Sequence, residues 1–351
     1  MNSEKRFAAI NTKIRVLRSK SLSKEDYINL IQKPSIKEQV NYLKENTIYV
    51  EDLRDIGLLD DIEHIETALK GHIINQYEKL IPYFTDDYRK LFKTILLRYE
   101  IEDLKLYLRA IERKENLNKV WKVSFFKDDY YNLDFEKLKD STGLDEFIEN
   151  LQGTIYYKAL KPYIKEEHSK ILFYMEMNLD RLYFNLLKTH SKGLGQVDEM
   201  LFEETLGKNV DLLNIEWIYR GIKFYNLLPE ELINFTLSNG YEFNYAKIKK
   251  MCYSDEQELK EIVLASRYDF LFDTEKDVDL YMERRIQRYL YYHFMNAFKK
   301  GKLDITLSMA YIHLLEYEIR DIISILEAKR YGLTLGETEE YLVRKIEGSG
   351  E

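Results

Sequence analysis

The chain has 351 residues, a formal charge of -8, 32% charged and 45% hydrophobic residues, 29 Tyr, 4 Pro, 14 Gly and 1 Cys. That charge argues against a nucleic-acid binder, whose phosphate contacts require a basic face. The lone Cys252 excludes an intramolecular disulfide, and Pro and Gly fall well below average usage, which predicts long helices.

The first helix is expected around Ala8-Ala9-Ile10-Asn11-Thr12-Lys13-Ile14-Arg15-Val16-Leu17-Arg18-Ser19, followed by a Leu, a turn-like residue and an acid in Leu22-Ser23-Lys24-Glu25. Lys5, Arg6, Lys13, Arg15, Arg18 and Lys20 cluster there, and solvated helix faces account for such runs. Asp60, Asp61, Glu63 and Glu66 surround His64 and form a metal-site candidate, but acids in a first helical turn complement its positive end and explain the cluster without metal.

A short apolar spacing then occurs three times, each time expected to open a long helix: Leu69-Lys70-Gly71-His72-Ile73, Leu151-Gln152-Gly153-Thr154-Ile155 and Met282-Glu283-Arg284-Arg285-Ile286. The first two run on to Leu80-Ile81-Pro82-Tyr83 and Leu160-Lys161-Pro162-Tyr163, where proline ends the helix. A second helix follows each, with apolar stripes at Ile101, Leu104 and Leu108, at Leu179, Leu182 and Leu186, and at Ile319, Ile322 and Leu326. Trp217-Ile218-Tyr219-Arg220-Gly221, followed by Leu228-Pro229-Glu230-Glu231, is similar to Ile14-Arg15-Val16-Leu17-Arg18-Ser19 and the Leu, turn-like residue and acid that follow it. Internal repetition predicts repeated supersecondary units, here 1–115, 116–207 and 208–351, in an all-α fold.

Chemistry-bearing motifs are scarce. Gly207-Lys208 and Gly301-Lys302 lack the following Ser or Thr of a phosphate loop, and no His lies three residues after a Glu. Asp273, Glu275, Asp277 and Asp279 alternate like calcium-loop ligands, but Val278 and Arg284 stand where the loop needs Gly and Glu, so an acidic helix cap is expected instead. Arg284, Arg285 and Arg288 form a second basic run. The Tyr289–Phe298 stretch, with His293 and Asn296, is too short to span a membrane, and no secretory signal is evident. The Asn234-Phe235-Thr236 sequon is read as chance. No catalytic residue, cofactor or metal site is expected. The tail Gly348-Ser349-Gly350-Glu351 is expected to be disordered.

The passages Tyr99-Glu100-Ile101-Glu102-Asp103-Leu104-Lys105-Leu106-Tyr107-Leu108-Arg109-Ala110 and Tyr317-Glu318-Ile319-Arg320-Asp321-Ile322-Ile323-Ser324-Ile325-Leu326-Glu327-Ala328-Lys329, the terminal Gly332-Leu333-Thr334 and the opening Asn-x-Lys-Ile-Arg stretch resemble the C subunit of prokaryotic V-type (A-type) ATP synthases, a family related to the d subunit of eukaryotic vacuolar ATPases. The resemblance covers nearly the whole chain through diffuse helix patterns. It implies three pseudo-repeated helical units arranged as a funnel about a pseudo-threefold axis. It also implies a non-catalytic coupling role between the rotor shaft, made of the D and F subunits, and the membrane proteolipid ring, with a peripheral position on the cytoplasmic face. Glu102, Asp103, Arg109, Arg320, Asp321 and Glu327 are expected on the polar side of the repeated second helix, as contacts for the shaft or for a neighbouring unit. A cytosolic helical-repeat adaptor is the alternative from another class.

Overall fold

The structure is a computed structural model that describes residues 3–57, 62–121, 133–165, 170–272 and 277–346. Those residues form helices and connecting turns, with no strand among them.

Three stretches follow one another. The first holds α1 (Ser3–Arg18), α2 (Lys24–Gln32), α3 (Ile36–Asn46), α4 (Ile62–Leu80) and α5 (Asp86–Glu112). The second holds α6 (Leu117–Trp121), α7 (Phe135–Leu138), α8 (Leu144–Asn150), α9 (Tyr157–Leu160), α10 (Ile171–Ser191) and α11 (Gln196–Lys223). The third holds α12 (Pro229–Phe235), α13 (Tyr245–Cys252), α14 (Glu256–Leu264), α15 (Val278–Lys300), α16 (Thr306–Arg330) and α17 (Leu335–Tyr341). By contacts the chain divides differently, into one compact unit of 1–83, 196–232 and 238–351 and another of 84–195 and 233–237.

Local chemistry sets many helix starts. Ser23 caps α2 reciprocally with Asp26, and Thr334 caps α17 reciprocally with Glu337. Asn244 and Asp255 cap α13 and α14 by accepting from the amides of Lys247 and Glu258. Asp277 caps α15 by accepting from Asp279 and Leu280, so this part of the acidic run is a helix cap, while Asp273 and Glu275 lie outside the described residues. Asp60 and Asp61 also lie outside them, as does the tail from 347; Glu63 occupies the first turn of α4. Leu80 ends α4 and Pro82 sits in the 3-10 turn that follows, as the missing proline amide requires.

The expected repeat register needs correction at its second copy. Leu69–Ile73 and Met282–Ile286 lie inside α4 and α15, but residues 151–155 form the turn after α8. Gly153 there has φ +87° and the Thr154 hydroxyl bonds back to the Leu151 carbonyl, so turn chemistry overrides the apolar spacing. Only the four-residue α9 precedes Pro162.

In the larger unit α16 is the hub, packed against α1, α2, α3, α4, α11, α15 and α17. In the other unit α5 lies along α10, and Leu104, Leu108, Met175 and Leu179 fill the seam. Complete burial of each such side chain contributes about 1.5–3 kcal/mol. Many tyrosines are core residues: Tyr27, Tyr49, Tyr77, Tyr107, Tyr156, Tyr219, Tyr268 and Tyr311 are among the largest fully buried side chains. A buried phenol needs a hydrogen-bond partner, and the partners of three of them define the most regular feature of the molecule.

Candidate functional site

Three times, a short hydroxyl residue two positions before a tyrosine builds the same turn. The Thr47 hydroxyl donates to the Leu43 carbonyl at 2.6 Å and accepts from the Tyr49 amide at 3.3 Å. Thr154 does the same with Leu151 at 2.8 Å and Tyr156 at 3.3 Å, and Ser266 with Val263 at 2.7 Å and Tyr268 at 3.1 Å. The hydroxyl thus takes over backbone groups that the ending helix leaves open, and fixes the direction in which the tyrosine leaves.

Each tyrosine then reaches a buried carboxylate on a long helix. Tyr49 donates to Glu318 Oε1 on α16 at 2.8 Å, Tyr156 to Glu100 Oε2 on α5 at 2.9 Å, and Tyr268 to Asp211 Oδ2 on α11 at 2.9 Å. All three rings are 0% exposed and no acid exceeds 4%. An apolar side chain four residues on, Leu53, Leu160 or Phe272, is buried beside each turn. Burial and the facing carboxylate hold the Tyr49 and Tyr268 phenols far above the usual tyrosine range, so they remain donors.

Two joints gather backbone donors as well. Asp211 accepts from the amides of Glu242 at 2.6 Å and Phe243 at 3.3 Å. A Cβ on Gly240 would collide with Asp211 Oδ1, so only glycine lets that loop approach. Glu318 accepts from the Leu22 amide at 3.1 Å, with Arg18 at 3.6 Å. One turn further along α16, Asp321 accepts from the amides of Val343 at 2.6 Å and Arg344 at 3.0 Å and from the Tyr27 hydroxyl at 3.3 Å. Burial pushes the Glu318 carboxyl up and the Asp321 carboxyl up to about 6, against the opposing pull of these donors.

The residues expected on a polar helix side divide into two kinds. Glu102 and Arg109 are exposed on α5, and Arg320 and Glu327 are partly exposed on α16. Asp103 and Asp321, at 1% and 0% exposure, are buried and do not belong to that side. The reason is that α5 and α16 are covered on more than one face, so a stripe at Ile101, Leu104 and Leu108 does not leave the rest of the helix in solvent.

Around the exposed α5 residues runs an ion-pair ladder to α10. Lys105 Nζ donates to Asp180 Oδ1 at 2.6 Å and Glu102 Oε1 at 3.2 Å, while Arg109 grips both Glu176 oxygens at 2.7 Å. Burial works against the Lys105 ammonium, but Asp180 and Glu102 outweigh it and hold its pKa above the ordinary lysine value. On the other helix Arg320 donates to Glu283 at 3.0 Å and Glu327 pairs with Arg330 at 3.5 Å.

Sequence reasoning missed the joints although a signal was present: Thr-Ile-Tyr occurs at 47–49 and again at 154–156, with Ser266-Arg267-Tyr268 as the third copy. Among the described residues no cluster of three or more His, Cys, Asp or Glu is arranged to hold a metal ion. Among the same residues no helix is long and apolar enough to cross a membrane. Cys252 is buried and its thiol is pushed up to about 12, which leaves it unreactive as expected of a packing residue.

The fold and these joints define an all-α protein whose most elaborate polar chemistry, among the described residues, is spent on holding helices together. By its sequence the chain belongs to the ATP synthase (C/AC39) subunit family, whose profile matches residues 10–341. It is similar to the C subunit of the A-type ATP synthase of Methanosphaera stadtmanae, 23% identical over 333 residues that cover 91% of this chain and 83% of the relative. The corresponding protein of Archaeoglobus fulgidus is 23% identical over 345 residues, 96% of each chain. That of Methanosarcina mazei is 24% identical over 254 residues, 71% of this chain and 68% of the relative. The family resemblance carried by the Tyr-Glu-Ile-x-Asp passages is therefore borne out.

Proposed function

We propose that this protein is the non-catalytic central-stalk component of a rotary A/V-type ATPase, coupling the rotor shaft, made of the D and F subunits, to the membrane proteolipid ring on the cytoplasmic face. The observation that carries this reading is the family match across 10–341, with relatives named as the C subunit of A-type ATP synthases. A torque coupler needs stiffness between its parts, and close-packed helices transmit strain instead of absorbing it. The buried tyrosine–carboxylate joints supply the same quality at fixed points.

Three helical units, 1–115, 116–207 and 208–351, arranged as a funnel about a pseudo-threefold axis, form part of the proposal. In its favour, each interval contains one hydroxyl-x-Tyr turn. Within it, Glu102, Arg109, Arg320 and Glu327 are the residues of the expected set that retain exposed surface to offer a partner.

The test is a pull-down of the tagged chain from its native membranes, followed by mass spectrometry of what remains bound. Shaft proteins and the proteolipid are expected in the eluate, and removing the chain from the complex should abolish ATP-driven ion pumping. Recovery of soluble partners alone, with pumping intact after its removal, would replace this reading with the cytosolic adaptor.

A further inference from the structure

Two of the three joints reach back to a helix shortly before them: Tyr156 docks on α5 and Tyr268 on α11, across 56 and 57 residues. Tyr49, of the first stretch, docks on α16, the last long helix of the third. The α16 joint therefore differs in kind from the other two, because it alone binds segments from both ends of the chain.

Its two acids hold those segments jointly. Glu318 takes Tyr49, Leu22 and Arg18 from the N-terminal side. Asp321 takes Tyr27 from that side and the Val343 and Arg344 amides from the other. Arg344 closes the circuit by donating to the Leu22 carbonyl at 2.7 Å, with its guanidinium 5.1 Å from the centre of the Tyr27 ring. From α15, Arg288 holds the C-terminal segment at the carbonyls of Glu339, Glu340 and Leu342. Leu342, Val343 and Ile346 are buried at 0%, 0% and 3%.

We infer that Glu318 and Asp321 on α16 form a latch that holds both ends of the chain, and that the N-terminal segment 18–49 and the C-terminal segment 342–346 open and close together as one cooperative element, separately from the other two joints. If either segment leaves, a carboxylate is left buried without donors that it needs, which drives the other segment to leave with it. Local opening in proteins follows such cooperative units and not single residues. The inference stands on these contacts alone and is independent of the ATPase reading.

Hydrogen exchange of the full chain, read by mass spectrometry at neutral pH, tests it with Tyr49→Phe, Tyr156→Phe and Tyr268→Phe. Tyr49→Phe is expected to speed exchange about tenfold in peptides from both 18–49 and 342–346, as loss of one hydrogen bond to a charged group implies. Tyr268→Phe should act on the Glu242 and Phe243 amides, and Tyr156→Phe on the turn at 151–156, with both chain ends unchanged. Faster exchange at 18–49 with 342–346 unchanged would overturn the latch, as would release of the chain ends by Tyr268→Phe. Should Tyr49→Phe not fold, Arg344→Met decides, since it removes the bridge to Leu22 and leaves both acids in place. Faster exchange at residues 18–31 then supports coupling, and unchanged exchange there refutes it.

Discussion

Helices α5 and α16 carry the same sequence device, Tyr99-Glu100-Ile101-Glu102-Asp103 and Tyr317-Glu318-Ile319-Arg320-Asp321, and use it for different loads. In both, the glutamate accepts from a buried tyrosine hydroxyl of another segment. Beyond that point the polar chemistry of α5 turns outward into a ladder with α10, through Glu102, Lys105 and Arg109. That of α16 turns inward, and Asp321 is consumed by backbone amides. Lys105 is itself buried, but the Arg109–Glu176 pair at the end of the ladder is half-exposed; such a pair contributes little and is readily exchanged for a partner's charges, whereas a buried acid with three donors is costly to disturb. One motif thus yields an internal joint on each helix, which on α5 runs out into a replaceable surface pair at Arg109 and on α16 stays internal through Asp321.

The sharpest way to break the comparison is Asp321→Ala. It strands the Val343 and Arg344 amides and the Tyr27 hydroxyl in the interior, and should lower stability by about 3–5 kcal/mol in urea unfolding. A loss below about 1 kcal/mol would mean that α16 is as tolerant as the ladder on α5.

A pH series separates the helices next. Asp321 is raised from 3.8 to about 6 in the folded chain, so between these values the native state binds more protons than the unfolded state. Its contribution is fully present below pH 3.8 and is lost as pH rises through about 6, on the order of 2–3 kcal/mol. Burial is the cause, opposed by the Val343 and Arg344 amides, Arg284 and Tyr27, with Glu318, Tyr291, Arg18, Arg288 and Arg344 also close by. Asp321→Asn should flatten this part of the stability profile relative to wild type, and an unchanged slope would refute the assignment to Asp321.

The smallest effect belongs to α5. A double-mutant cycle on Arg109 and Glu176 should give a coupling of about 0.2–1 kcal/mol, reduced by added salt. Coupling above about 2 kcal/mol that salt does not weaken would place this pair with the internal joints and erase the distinction.

How far the sequence disclosed these features depended on how local the deciding chemistry is. Pro82 acts within a few residues, and the helix end before it was legible, as was the turn at Ser23; the equally local cap at Thr334 was not read. The turn at Gly153 and Thr154 was equally local, but was hidden because Leu151 and Ile155 also satisfy a helical spacing. Asp103 and Asp321 were misplaced because a single apolar stripe presumes a helix with one buried side, and both helices are enclosed on several. The acceptors of Tyr49 and Tyr27 lie 269 and 294 residues away and belong to no spacing rule. Thr-Ile-Tyr, in contrast, was visible as a repeated tripeptide whose meaning required the partner helices.

The sequence separation of the joints also bears on how the chain reaches its final state. Tyr156 and Tyr268 find their acids 56 and 57 residues away, whereas Tyr49 must find Glu318 across 269. Loop-closure entropy rises by about 0.6 kcal/mol per doubling of length, so the long joint costs over 1 kcal/mol more to form from an open chain. Contacts of low sequence separation assemble sooner, and α16 must be in place before Tyr49 and Tyr27 have their acids to bind. On a ribosome the order is stricter still: the Tyr49 turn emerges and then waits through 269 further residues of synthesis before its carboxylate exists.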